Sequence, residues 1–254
     1  MKLISLNIEG GKHWELINPF LEAERPDVLC LQELFESDAA SLAARLGMHY
    51  AFAPMTIWEY NRPGVQPSWQ KFGVGIFSRT PMRNIHTKDY YSPSAELRRL
   101  DDATMETERT TMRQVLFCAD MECGGTAYTI ATTHFTWSPE GLPNGYQRQD
   151  ADALLALLEG IPNVVLCGDF NIPRSINDLY ERFATKYKDA IPAAYASSMD
   201  IERHRARIDP VSRERLARCM VDYLFLTKAH RAKNVRLQCG ISDHCAIVGT
   251  VVPA

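Results

Sequence analysis

The stretch Val164-Val165-Leu166-Cys167-Gly168-Asp169-Phe170-Asn171 decides how this chain is read. Its apolar run has the form of a strand buried on both faces. At the C-terminal end of that strand come a carboxylate and an amide. A carboxylate flanked by buried strand costs several kcal/mol unless it is paired or binds a cation. A second run, Val28-Leu29-Cys30-Leu31-Gln32-Glu33, repeats the form and delivers Glu33 where the first delivers Asp169. Ligand sites of α/β proteins lie at such strand ends, and two resembling halves facing each other bring their carboxylates together.

Working outward, other strand ends carry the same kind of residue. Lys2–Asn7 reads as a strand ending in Asn7, with Glu9 just beyond. Tyr128–Thr133 runs into His134, followed by Phe135 and Trp137. Asp222 opens the apolar run Tyr223-Leu224-Phe225, and Ser242-Asp243-His244 precedes a last strand, Ala246–Val252. Further strands are expected at Gly73–Phe77, Val115–Met121 and Val235–Leu237, and helices at Asp38–Leu46 and Gln149–Leu158. Asn144 or Pro143 opens the second helix, and Gly160 with Pro162 closes it. Asp169 with Asn171 also suits a turn or a helix N-cap, and Asp243 with His244 a buried hydrogen-bonded pair. Repetition of polar groups at strand ends favours one converging site. Strands interspersed with helices predict an α/β protein, its sheets covered by helices on their outer faces.

The chain of 254 residues is 46% hydrophobic and 23% charged, enough for a sizeable core, and no linker divides it, so residues 1–254 are read as one domain. A net charge of −3 gives no overall positive field, so a nucleic-acid substrate would be held by a local patch. Seven cysteines without C-x-x-C spacing, Cys30, Cys167 and Cys245 among them in apolar runs, are expected to be buried thiols in a reduced compartment. The first residues lack the apolar core of a signal peptide, and no run nears the ~20 apolar residues that span a bilayer. A cytoplasmic protein is expected. Two long polar connections, Pro54–Lys71 with Trp58, Tyr60 and Trp69, and the charged Tyr91–Thr110, have the length of functional loops.

Taken in order, Leu31-Gln32-Glu33, Gly73-Val74-Gly75-Ile76-Phe77-Ser78-Arg79, Thr133-His134-Phe135, Gly168-Asp169-Phe170-Asn171 and Ser242-Asp243-His244 resemble the signature segments of the endonuclease/exonuclease/phosphatase superfamily. The resemblance implies a four-layer α/β/β/α sandwich, two packed mixed sheets flanked by helices. It also implies a hydrolase that cleaves phosphoric esters with an activated water and Mg²⁺, with Mn²⁺ as the alternative ion. By matching positions, Glu33 would bind the metal, with Asn7 beside it and Asp243 as a second ligand or outer acceptor. Asp169 would orient or deprotonate the water and Asn171 would fix it. His244, held by Asp222, and His134 would contact the phosphoryl group from opposite sides. Arg113 is a candidate substrate contact, and Trp58, Trp69 and Trp137 could stack on bases at ~1–3 kcal/mol each. The leading expectation is a monomeric nuclease or DNA-repair-type phosphodiesterase. The alternative is a phosphoesterase for a small phosphate ester or lipid head group.

Overall fold

The computed structural model describes residues 1–62 and 64–254. In chain order the strands are β1 (Lys2–Asn7), β2 (Val28–Phe35), β3 (His49–Tyr60), β4 (Ser68–Ser78), β5 (Met82–Tyr91) and β6 (Gln114–Cys123). Then follow β7 (Thr126–His134), β8 (Val164–Asp169), β9 (Lys188–Asp189), β10 (Asp222–Leu226), β11 (His230–Gln238) and β12 (Ala246–Pro253). The helices are α1 (Trp14–Glu24), α2 (Glu36–Leu46), α3 (Met105–Thr111), α4 (Gly145–Glu159), α5 (Leu179–Ala184) and α6 (Pro210–Leu216).

The strands form two six-stranded sheets, ordered β11-β12-β1-β2-β4-β3 and β5-β6-β7-β8-β10-β9. Each contains one parallel pair, β1 with β2 and β7 with β8. A parallel pair needs a long crossover; α1 spans the first and α4 the second. The echo between the Val28 and Val164 runs is therefore structural, since both are second strands of a β-α-β unit.

Alternation along the central strands sorts the core into layers. Leu3, Val28 and Cys30 face the other sheet and join Val165 and Ile130 in the largest buried cluster. Ile4, Leu6, Leu29 and Leu31 face outward, onto Ile17 and Leu21 of α1 and Leu42 and Leu46 of α2. Leu154, Leu155 and Leu158 of α4 cover the other sheet. The expected four-layer sandwich is present. Asn144 caps α4 by accepting from the Gln147 N–H at 2.9 Å, and Gly160 ends it.

Three expectations change. Most of Pro54–Lys71 is not a loop but the paired ends of β3 and β4, with Trp58 opposite Gln70 and Glu59 opposite Trp69; of this stretch Pro63 lies outside the described residues. Continuous ladder hydrogen bonding carries these strands past the apolar residues that advertise them. Tyr91–Thr110 contains α3, whose Thr104 side chain and Thr107 form a capping box. The cysteines are not all thiols. Cys30, Cys118, Cys167 and Cys219 are free and buried, whereas Cys239 and Cys245 form a disulfide that brackets Asp243 and His244.

Candidate active site

Strand pairing sets the site. His134 closes β7 opposite Asp169 at the end of β8, and Asp222 at the start of β10 pairs Asp169 from the other side. β8 approaches β7 closely because residue 168 is glycine: at φ 144° a Cβ there would stand 2.0 Å from the Thr133 carbonyl oxygen. In the other sheet, Asn7 ends β1 beside Gln32. The β2–β4 register slips between Leu31 and Leu34. At that bulge Glu33 takes φ 58°, a left-handed conformation costing of order 1–3 kcal/mol for a residue with a Cβ. Asn171 is held similarly, at φ 51°. Strain at two neighbouring acid and amide side chains marks a constellation retained against local preference.

The side chains converge across both sheets. Asn7 Nδ2 donates to Glu33 Oε1 at 2.9 Å and to Asp169 Oδ2 at 3.1 Å. Asp169 Oδ1 accepts the Asn171 N–H at 2.9 Å, and Asn171 Nδ2 donates to the Phe135 carbonyl at 2.9 Å. Two imidazoles flank Asp169: Nε2 of His134 and of His244 lie 3.6 and 3.7 Å from its Oδ2. His134 Nε2 is also 3.9 Å from Glu33 Oε1, while its Nδ1 is buried without a partner. His244 Nδ1 donates to Asp222 Oδ2 at 2.8 Å.

Electrostatics follow from that crowding. Burial works against charge on His244, but the carboxylates of Asp222 and Asp169 outweigh it and raise the ring well above its ordinary value. Burial, with repulsion from Glu33 and Glu9 against the attraction of His244, pushes Asp243 up to about 7.

This donor set fits a divalent cation. It is rich in hard carboxylate oxygen, and Glu33, Asp169 and Asp243 are not neutralised by any lysine or arginine contact among the described residues. Ligand atoms of Asp169, Asp222 and His244 come within 4.8 Å of one another. Because Asp222 is already bonded to His244, however, the freer carboxylates nearby, Glu33 above all, suit a cation better.

Glu33, His134, Asp169, Asn171, Asp243 and His244 line a cavity of about 510 Å³. Of the aromatic candidates, Trp58 and Trp137 line it; Trp69 does not, and stacks instead under the Arg99 guanidinium at 4.9 Å. Arg113 also lies outside it, donating to the Ala95 carbonyl at 2.5 Å. Glu108, from the charged Tyr91–Thr110 connection expected to be functional, joins the walls with Gln114, His204, Arg205 and Arg215, none of which was singled out. Burial pushes Glu108 up to about 7, and burial with the nearby charges of His244 and Arg205 lowers His204 to about 4. Neither sits at the end of an apolar strand, the one signal available in the sequence.

Comparison with known proteins agrees with this architecture. No curated protein is matched by sequence. Among solved structures, an endonuclease/exonuclease/phosphatase from Beutenbergia cavernae DSM 12333 superposes with a TM-score of 0.73 at 18% identity, over 100% of this chain and 72% of that one. The human Nocturnin catalytic domain with bound sulfate anion gives 0.68 at 20% identity, over 100% and 93%. A mannosyl-6-phosphatase of Bacteroides thetaiotaomicron VPI-5482 gives 0.63 at 13% identity, over 99% of each chain. At these identities the likeness is one of fold. The model of the Endonuclease/Exonuclease/phosphatase family matches residues 4–244, from the first strand to the last histidine of the site. The chain belongs to that family of phosphoester-hydrolysing enzymes.

Proposed function

We propose that this enzyme hydrolyses a phosphoester whose organic group enters the cavity, using a water activated at Asp169 and Mg²⁺ held at Glu33. The observation that carries the reading is Asp169, buried and flanked by two imidazoles and the Asn7 amide. Glu33, with Asn7 alongside and Asp243 in reserve, would hold Mg²⁺, which would supply Lewis-acid neutralisation of phosphoryl charge. The chain does the rest. The Asp169 carboxylate accepts a proton from water as the water oxygen bonds to phosphorus and the P–O bond to the leaving oxygen breaks. Asn171 fixes the water and keeps Asp169 oriented through its backbone N–H. His134 and His244 contact phosphoryl oxygens from opposite sides. Asp222, accepting from His244 Nδ1, orients the ring and favours its charged form.

Lys12, Arg205 and Arg215 also line the cavity, with Trp137 partly exposed. They favour a second reading in which a nucleic-acid strand crosses the opening, its bases stacking on the indole and its phosphates meeting the cations.

The test is cleavage of bis(p-nitrophenyl) phosphate, p-nitrophenyl phosphate and end-labelled oligonucleotides, with and without Mg²⁺, beside Glu33→Ala. Mg²⁺-dependent turnover lost in the variant is expected. Product ladders from the oligonucleotides would select the second reading, and turnover indifferent to both Mg²⁺ and Glu33 would overturn the mechanism.

A further inference from the structure

Part of the cavity lining has no role in the hydrolysis proposed above. Gln114, at the start of β6, is 4% exposed and lines the cavity. Its Oε1 is buried with no hydrogen-bond partner among the described residues. An amide oxygen buried in this way costs stability. Such a group persists in a cavity wall where something else completes its hydrogen bonds. Beside it on α3, the Glu108 carboxyl lines the same cavity without an ion pair or side-chain hydrogen bond among the described residues. Trp58 and Phe72, edge to face at 4.8 Å, and Met112 supply apolar surface to the same cavity.

The chemistry of this wall narrows its occupant. An amide donates and accepts, and the Glu108 carboxyl, pushed up to about 7, accepts when ionised and donates when protonated. Hydroxyl groups, which also donate and accept, match the pair in either state, and the aromatic and thioether surfaces suit a C–H face. A hydroxylated ring meets both demands, and about 510 Å³ has room for one.

We propose that Gln114 and Glu108 are specificity-determining residues that bind the hydroxyl groups of a sugar ring attached to the scissile phosphate. The inference rests on the phosphoesterase reading of the adjacent groups. The ring has two sources, a free sugar phosphate with several free hydroxyls or the ribose of a ribonucleotide chain with its 2′-hydroxyl, and both present a ring hydroxyl that the deoxy counterpart lacks.

The experiment measures kcat/KM on matched pairs. In one arm these are ribose 5-phosphate against 2-deoxyribose 5-phosphate, and glucose 6-phosphate against cyclohexylmethyl phosphate. In the other they are a ribodinucleotide against its 2′-deoxy counterpart. Wild type, Gln114→Leu and Glu108→Gln are compared, each checked for a native unfolding transition. The expected result is a preference of at least about 10-fold for the hydroxylated member in one arm, which names the source, with the ratio falling toward one in both variants. Should Gln114→Leu fail to fold, the wild-type and Glu108→Gln ratios decide. A merely structural role lowers both members of a pair alike and leaves the ratio unmoved; that result overturns the proposal, as does a wild-type ratio near one in both arms. Bis(p-nitrophenyl) phosphate separates the two levels: if it is hydrolysed while no hydroxyl preference exists, only the subsite falls, and if it and every other ester resist, the phosphoesterase reading falls with it.

Discussion

His244 Nδ1 lies 2.8 Å from Asp222 Oδ2, and both residues are buried. The contact orients the ring, and the Asp222 carboxylate favours its charged form. Asp222→Asn preserves shape but removes the balancing charge. It is expected to lower kcat by about 10²–10³-fold, the usual cost of losing one preorganised electrostatic contact, with KM changed little. His244→Ala is expected to fall in the same range, and the double variant no lower than the worse single one. Steady-state kinetics on bis(p-nitrophenyl) phosphate check this; independent, multiplicative losses would show that the two do not act as a unit.

Metal affinity can be read without turnover. Ligand bound only to the folded state stabilises it by about 1.4 kcal/mol at a tenfold excess over Kd. Mg²⁺ should therefore raise the thermal midpoint of EDTA-treated protein, and Glu33→Ala should abolish the rise. An equal rise in the variant would place the ion elsewhere.

His204 gives stability a pH dependence of predictable sign. Its folded pKa is lowered to about 4 from 6.5. Between those values the unfolded chain takes up a proton that the folded chain refuses, so this contribution is intact above pH 6.5 and is lost as pH falls toward 4. His204→Asn should gain stability relative to wild type steadily over that window. Urea midpoints at pH 7.5, 5.5 and 4.5 measure it, and a constant difference would refute the assignment.

The Cys239–Cys245 bond closes a short loop around Asp243 and His244. Loop-closure entropy gives such a crosslink roughly 2 kcal/mol of stability. Reduction, or Cys239→Ser, should lower the urea midpoint accordingly and cut kcat by freeing the His244 backbone. Unchanged kcat with a lowered midpoint would confine the bond to a structural role.

Gly168→Ala should be costly, because the new methyl would strike the Thr133 carbonyl oxygen. A loss of about 1–3 kcal/mol is expected, together with reduced activity as β7 and β8 separate His134 from Asp169. A neutral substitution would mean that the two strands yield without disturbing the site.

What could be read in the residues follows from where burial writes its pattern. β1, β2 and β8 are buried and stand out as apolar runs, and Asn7 and Asp169 at the ends of β1 and β8 stand out with them, whereas Glu33, expected just past a strand end, sits at a bulge inside β2, which pairs on to Phe35. β5 could not be read. Arg83, Asn84, His86, Lys88 and Asp89 are polar because it is an edge strand, made by pairing with β6 and not by burial. α1 was hidden by Pro19 in its interior, normally a helix breaker. Glu108, Gln114 and His204 could not be assigned to the site for a different reason. They come from a short helix, the mouth of a strand and an irregular segment, so only tertiary placement brings them to the cavity.

One pairing has a consequence for how the enzyme comes into being. β1 lies between β2 and β12, with Lys2 opposite Thr250 and Ser5 opposite Ile247. The ribosome therefore makes Asn7 and Glu33 long before the strand that flanks them, and His244 arrives only just ahead of it. A nascent chain carries half of a reaction centre on an incomplete sheet. β1, which carries Asn7, gains its second neighbour only when the strand through Pro253 docks.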